Sequence, residues 1–179
     1  VENRVRIFSE GVRSLESDAQ GNARRSVGGE VDSPSRNLAR YMDEIAEQHL
    51  PSFDVSMVYR RDRFGRGGDQ VPMVEAGFPA VRVTEAAENY TRQHQDIRTE
   101  NGIAYGDTIA GVDFSYLARV ARLNAITMAS LGSAPRPPME VKVEGAVSAD
   151  TKVSWTASAG AGSYVIWWRD TTSPTWQHS

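Results

Sequence analysis

The residues Leu38, Tyr41, Met42, Ile45 and His49 recur at three- and four-residue spacing down to Leu50-Pro51, and runs of a different period lie on either side. Ser33-Pro34 opens this stretch as a helix should be opened, because serine accepts a backbone N–H as N-cap and proline is tolerated at the first helical position. The spacing therefore predicts an amphipathic helix with its apolar side on a sheet, and His49 in its last turn suits the helix dipole better than a metal. Before it, Arg4-Val5-Arg6-Ile7-Phe8 alternates with Val5 and Ile7 on one face; after it, Phe53, Val55, Met57 and Tyr59 alternate likewise. Ala80 to Thr84 is a third, β-branched run. Strands interleaved with helices predict an α/β fold with a mixed or parallel sheet covered by helices.

Other stretches fill in the frame. Ser14 to Gly29 is polar and glycine-containing, and reads as a surface loop or a poorly packed helix. The glycines at 65, 67 and 68 free the backbone for a tight turn that leaves Asp69 at the mouth of a helix running through Val74. Phe78-Pro79 is expected to end that helix. Asp113 can cap a long final helix, in which Leu117, Val120, Ala121, Met128 and Leu131 read as core packing and Gly132 as the stop.

At Ser133-Ala134-Pro135-Arg136-Pro137-Pro138 the helix cannot continue, and the segment reads as an extended spacer. Beyond it the period is two: Val141 and Val143, then Val153 and Trp155, then Tyr164, Ile166 and Trp168, predicting antiparallel strands. Residues 1–132, 133–138 and 139–179 are thus expected to be an α/β portion, a linker and a partial β portion.

A net charge of −3 and a pI near 5.7 argue against a general nucleic-acid binder, which needs a positive field over phosphates. Arg60 to Arg66 is arginine-rich, but Asp62 interrupts it and a solvated loop is the expectation. With no cysteine, disulfides and thiolate metal sites are excluded. No apolar run has the length of a membrane span.

The order Gly67-Gly68-Asp69-x-x-Pro72, Gly77-Phe78-Pro79-Ala80-Val81, Thr84-Glu85, Asn89-Tyr90 and His94 resembles the C-terminal half of the two-zinc aminopeptidase family. That family includes bacterial leucyl aminopeptidases, glutamate carboxypeptidases and, as zinc-using relatives, glutaminyl cyclases. The likeness covers roughly Val1 to Leu131 and implies a partial three-layer α/β/α mixed sheet. The 139–179 portion resembles the first strands of a fibronectin type III sandwich, of which about half is present.

By this resemblance the chain is part of a zinc-dependent exopeptidase hydrolysing N-terminal peptide bonds, with a peptide substrate and two zinc ions in the complete protein. His94 matches the family's last metal ligand. The other ligands, a His-x-Asp pair, a Glu-Glu pair and a later Asp, are expected before Val1, so the chain should need the upstream half of its own catalytic domain as partner and be inactive alone. Asp69 matches an aspartate beside the metal that hydrogen-bonds a ligand or the substrate, with a plain helix N-cap as the alternative. Tyr90 matches an aromatic bordering the substrate pocket, and Glu85 could meet a substrate's free α-amino group. Two departures stand out: Gln70 replaces a usual histidine and cannot titrate, and Gln95-Asp96 follow His94 in place of the family's continuation. A glutaminyl-cyclase-like acyltransferase or an inactive binding protein on the same fold remain alternatives. A secreted or periplasmic location is expected.

Overall fold

A computed structural model describes residues 3–11 and 15–179. The elements in order are β1 (Arg4–Ser9), α1 (Asp18–Ser26), α2 (Pro34–His49), β2 (Asp54–Val58), α3 (Gln70–Glu75), β3 (Val81–Glu85), β4 (Arg98–Glu100), β5 (Ile103–Tyr105), a 3-10 turn (Ile109–Gly111), α4 (Phe114–Ser133), β6 (Met139–Glu144) and β7 (Lys152–Thr156). The chain divides into two units, one ending at Thr127 and the other beginning at Met128.

In the first unit β1 lies between β2 and β3, parallel to β2 and antiparallel to β3, so the sheet is mixed. The parallel pair is joined through α1 and α2, as a parallel connection requires a long crossover. Register aligns Ile7 with Met57 and with Val83, which puts these side chains on one face. That face carries the core: Val5, Ile7 and Val55 are buried with Ala39, Met42, Ile45 and Ala46 of α2 and with Leu123 of α4. Each of the larger aliphatic side chains among these contributes about 1.5–3 kcal/mol by leaving water.

The helix ends follow their local chemistry. Ser33 caps α2 by accepting the Arg36 N–H at 3.2 Å, with Pro34 behind it in the first turn. Between the two readings open for Ser14 to Gly29, the described residues form a helix. Ser17 and Gln20 make a reciprocal capping box, Asp18 lies in its first turn and Arg24 and Arg25 in its last. The next helix, α3, ends at Glu75, before Phe78-Pro79: Gly77 takes φ +91° and donates to the Val74 carbonyl at 2.9 Å.

The reading of α4 needs correction. Asp113 does accept the Tyr116 N–H at 2.9 Å as cap. The residues that meet the core, however, are Tyr116, Val120, Leu123 and Ile126, with Thr127 buried beside them. Leu117, Ala121, Met128 and Leu131 are exposed, Met128 by 72%. Thr127 can be buried because its hydroxyl donates to the Leu123 carbonyl at 2.9 Å, and the Tyr116 hydroxyl donates to the Arg4 carbonyl at 2.8 Å. Two satisfied polar side chains thus occupy positions that a hydrophobic pattern assigns to the outside.

In the second unit β6 and β7 form an antiparallel hairpin with a register shift between Met139 and Lys142. The expected strand through Tyr164, Ile166 and Trp168 is not formed; among the described residues this segment pairs only where Trp168 bridges His178. The Tyr164 hydroxyl instead accepts the Ser158 N–H at 2.6 Å, and its ring lies 5.3 Å from that of Trp155. Ring packing and a local turn take the place of ladder pairing there.

Candidate functional site

The loop leaving β3 is shaped by short-range bonds. The Asn89 side-chain oxygen accepts both the backbone N–H and the hydroxyl of Thr91, at 3.1 and 2.7 Å, which turns the chain. Gly106 then closes on it, donating to the Thr91 carbonyl at 2.9 Å. Gly106 sits at φ +112°, and a Cβ there would meet the Ile97 backbone at 2.9 Å, so only glycine permits this approach. His94 lies in the bend with φ +51°, a left-handed conformation that histidine enters more readily than most residues. Its imidazole is exposed, with no hydrogen-bond partner among the described residues.

His94 lines a cleft of about 600 Å³ between the end of β3, this loop and the start of α4. Glu85, Asp107 and Asp113 line the same cleft, as do Arg82 and Arg92. Of the residues singled out in the sequence, His94 and Glu85 are therefore brought to one cavity, whereas Asp69, Gln70 and Tyr90 do not line it. Asp69 precedes α3 but is exposed and makes no capping bond. Tyr90 is exposed, with its hydroxyl 3.5 Å from Glu88.

Gln70 has a task of its own. Its amide donates to Asp62 at 3.0 Å and to the Arg61 carbonyl at 3.1 Å. This corrects the expectation of a solvated loop at Arg60 to Arg66 for Asp62 and Arg63, which are both buried, while Phe64 to Arg66 are exposed as expected. Asp62 also accepts the Arg63 backbone N–H at 2.7 Å and its guanidinium at 3.2 Å, and lies 3.5 Å from Arg82. Arg63 in turn pairs with Glu88, whose side chain is only 1% exposed. Glu88 accepts from Arg6 at 2.8 Å and from Gln93 at 3.2 Å. Buried charges that are paired and hydrogen-bonded draw the loop inward, which a count of charges along the chain does not reveal.

Electrostatics agrees with the geometry. Burial alone would raise the Glu88 carboxyl, but the bonds from Gln93 and Arg6 and the charges of Arg63 and Arg6 outweigh it and hold it below the usual carboxylate range. For Asp62, burial is likewise outweighed by bonds from Gln70 and Arg63 and by Arg82, and its carboxyl is lowered too. Neither position stood out in the sequence, although Glu88 next to the Asn89-Tyr90 motif was the available signal.

A second cavity, of about 720 Å³, lies at the Arg4 end of the sheet, where Asp43, Glu47 and Asp54 converge. Burial first, then Glu47, Asp54 and Glu44, pushes the Asp43 carboxyl up to about 6. A carboxyl raised on folding opposes the fold once ionised, so its penalty is absent below about pH 4 and grows as pH rises through about 6. Asp43→Asn is therefore expected to stabilise the protein at pH 7.5 by about 1 kcal/mol, after discounting a half-buried group for solvent screening. Thermal unfolding should show the gain at pH 7.5 and little gain at pH 4.5.

Among the described residues, no group of three or more His, Cys, Asp or Glu side chains could hold a metal ion. A zinc site takes three or four ligands, and the described residues supply no such set around His94.

Against known proteins, this chain is 45% identical over 175 residues to a protein of Leptosphaeria maculans, covering 96% of this chain and 41% of that protein. It is 42% identical over 179 residues to one of Pyrenophora teres, covering 97% and 37%, and 40% identical over 183 residues to one of Pyricularia oryzae, covering 97% and 36%. Each of these relatives is named a probable zinc metalloprotease. The chain spans about two fifths of the length of the curated relatives it matches. No protein-family model and no solved structure matches it. No helix among the described residues is long and apolar enough to cross a membrane.

Proposed function

We propose that this chain is part of a zinc-dependent exopeptidase that removes N-terminal residues from peptides, with His94 as one ligand of a two-zinc centre. The observation that supports it most is the similarity over nearly the whole chain to proteins named probable zinc metalloproteases. The exposed, unpartnered imidazole of His94 on a cleft wall, in the motif order of the two-zinc aminopeptidases, agrees with that reading. When bound, zinc supplies a Lewis acid for the scissile carbonyl and hydroxide near neutral pH.

Within the cleft, Glu85 at the end of β3 offers a carboxylate to a protonated α-amino group, the feature that separates an aminopeptidase from an endopeptidase. Arg82 and Arg92 line the same cavity, but their guanidinium groups are engaged within the fold, Arg82 with Asp62 and the Gly67 carbonyl and Arg92 with Thr108 and the Gly106 carbonyl. The remaining metal ligands and the general base belong, on this reading, to the part of the relatives' length outside the chain. Because Gln70 is spent on Asp62, the missing histidine at that position bears on loop packing and not on proton transfer in the cleft.

The test uses the full-length protein with aminoacyl-p-nitroanilides. His94→Ala is expected to lower kcat/KM at least about 10³-fold while the thermal midpoint stays within a few degrees. Glu85→Gln should lower kcat/KM for free amino termini about 10- to 100-fold, the scale of a lost charge-assisted bond. Unchanged hydrolysis by His94→Ala would remove the reading. Cyclisation of N-terminal glutamine without peptide hydrolysis would replace it with the glutaminyl-cyclase alternative.

A further inference from the structure

The ion network described above joins separate segments of the first unit around one carboxylate. Its hub, Glu88, receives donors from three separate segments: Arg6 on β1, Arg63 in the loop after β2, and Gln93 next to His94. Through Arg63 and Asp62 the same network reaches Gln70 at the start of α3 and Arg82 on β3. The His94 loop is thus tied, by one buried carboxylate, to the sheet on one side and to the Gly67-Gly68-Asp69-Gln70 turn on the other. His94 itself makes no side-chain bond among the described residues and sits in a left-handed bend, so its position is set by its neighbours.

We propose that Glu88 is a positioning residue for the metal centre: held by Arg6 and Arg63, it fixes the His94 backbone through Gln93. The inference rests on the reading of His94 as a zinc ligand. A flexible loop histidine pays an ordering cost on coordination, whereas a tethered one has paid it in folding. Partners that orient a ligand in this way typically change metal affinity about 10- to 100-fold when removed. Glu88 enters the cleft lining but is shielded from solvent, as a support under the site should be.

The experiment measures zinc dissociation from the full-length protein by competition with a chromogenic chelator, with thermal unfolding in parallel. Glu88→Gln is expected to weaken zinc binding about 10- to 100-fold. Gln93→Ala, which cuts the tether while leaving both arginine pairs intact, is expected to weaken it about 10-fold with an unchanged thermal midpoint. Arg4→Ala, which breaks a surface ion pair with Asp54, should leave affinity unchanged. If Glu88→Gln fails to fold, Gln93→Ala decides by itself. Zinc affinity of Gln93→Ala within twofold of the parent, in a protein where His94→Ala loses zinc, overturns the positioning role alone. Retention of all zinc by His94→Ala overturns the ligand reading and the tether with it.

Discussion

Arg63→Ala is expected to destabilise the protein by about 3–5 kcal/mol, the cost of stripping a buried ion pair of one partner. Arg63 is the shared cation of Asp62 and Glu88, and all three side chains are buried. Without it, Glu88 keeps Arg6 and Gln93 while Asp62 keeps Gln70, the backbone N–H of residue 63 and a more distant Arg82. Each carboxylate then holds a negative charge away from water with fewer donors. Urea unfolding at pH 7 measures the loss. The same carboxyls are lowered on folding, so their contribution is present at neutral pH and lost as pH falls below about 4. The difference between parent and Arg63→Ala should therefore narrow in acid. A loss below about 1 kcal/mol at pH 7 would show that the network behaves as a surface ion pair.

Leu123→Ala should cost about 3–4 kcal/mol, because Leu123 is 0% exposed and is the α4 residue fully enclosed in the sheet's core. It packs with Val5, Ile7 and α2, so truncation leaves a cavity that a β-sheet and two helices cannot easily close. Met128→Ala, five residues on, should change stability by no more than about 0.5 kcal/mol. The pair of variants asks which stripe of α4 faces the core. Equal losses at both positions would restore the stripe expected from hydrophobicity and refute the one described here.

That contrast marks where sequence patterning works. Val5, Ile7 and Val55 were legible because alternation with polar neighbours leaves one face for the core. Met42 and Ile45 were legible because Ser33-Pro34 fixes where their helix starts and so its phase. On α4 the apolar residues wrap more than one side, and nothing local says which side the sheet will cover. The strand expected at Tyr164 to Trp168 failed for a related reason: a strand exists only where a partner pairs with it, and here pairing is confined to one bridge at His178.

The candidate site divides in the same way. His94 and Glu85 could be picked out from motif order, and the fold brings both to one cleft. Asp69 held its place before α3 but not a capping bond, and Tyr90 lies off the cleft. Glu88 and Asp62 were invisible as functional candidates, since a carboxylate in a charged stretch looks the same whether it is solvated or buried.

The sequence by itself determined β1, α2, β2, α3, β3 and α4 in their order, the helix starts at Ser33 and Asp113, and the motif order that runs to His94, but not the hairpin of β4 and β5. These depend on bonds and periodicities spanning a few residues. Only the tertiary structure decided the mixed pairing of β1 with β2 and β3, the face of α4 that is buried, and the burial of Arg63 between Asp62 and Glu88. Those depend on groups far apart in the chain finding one another, as Arg6 and Glu88 do across 82 positions and Tyr116 and Arg4 across 112, and only the folded chain specifies such meetings.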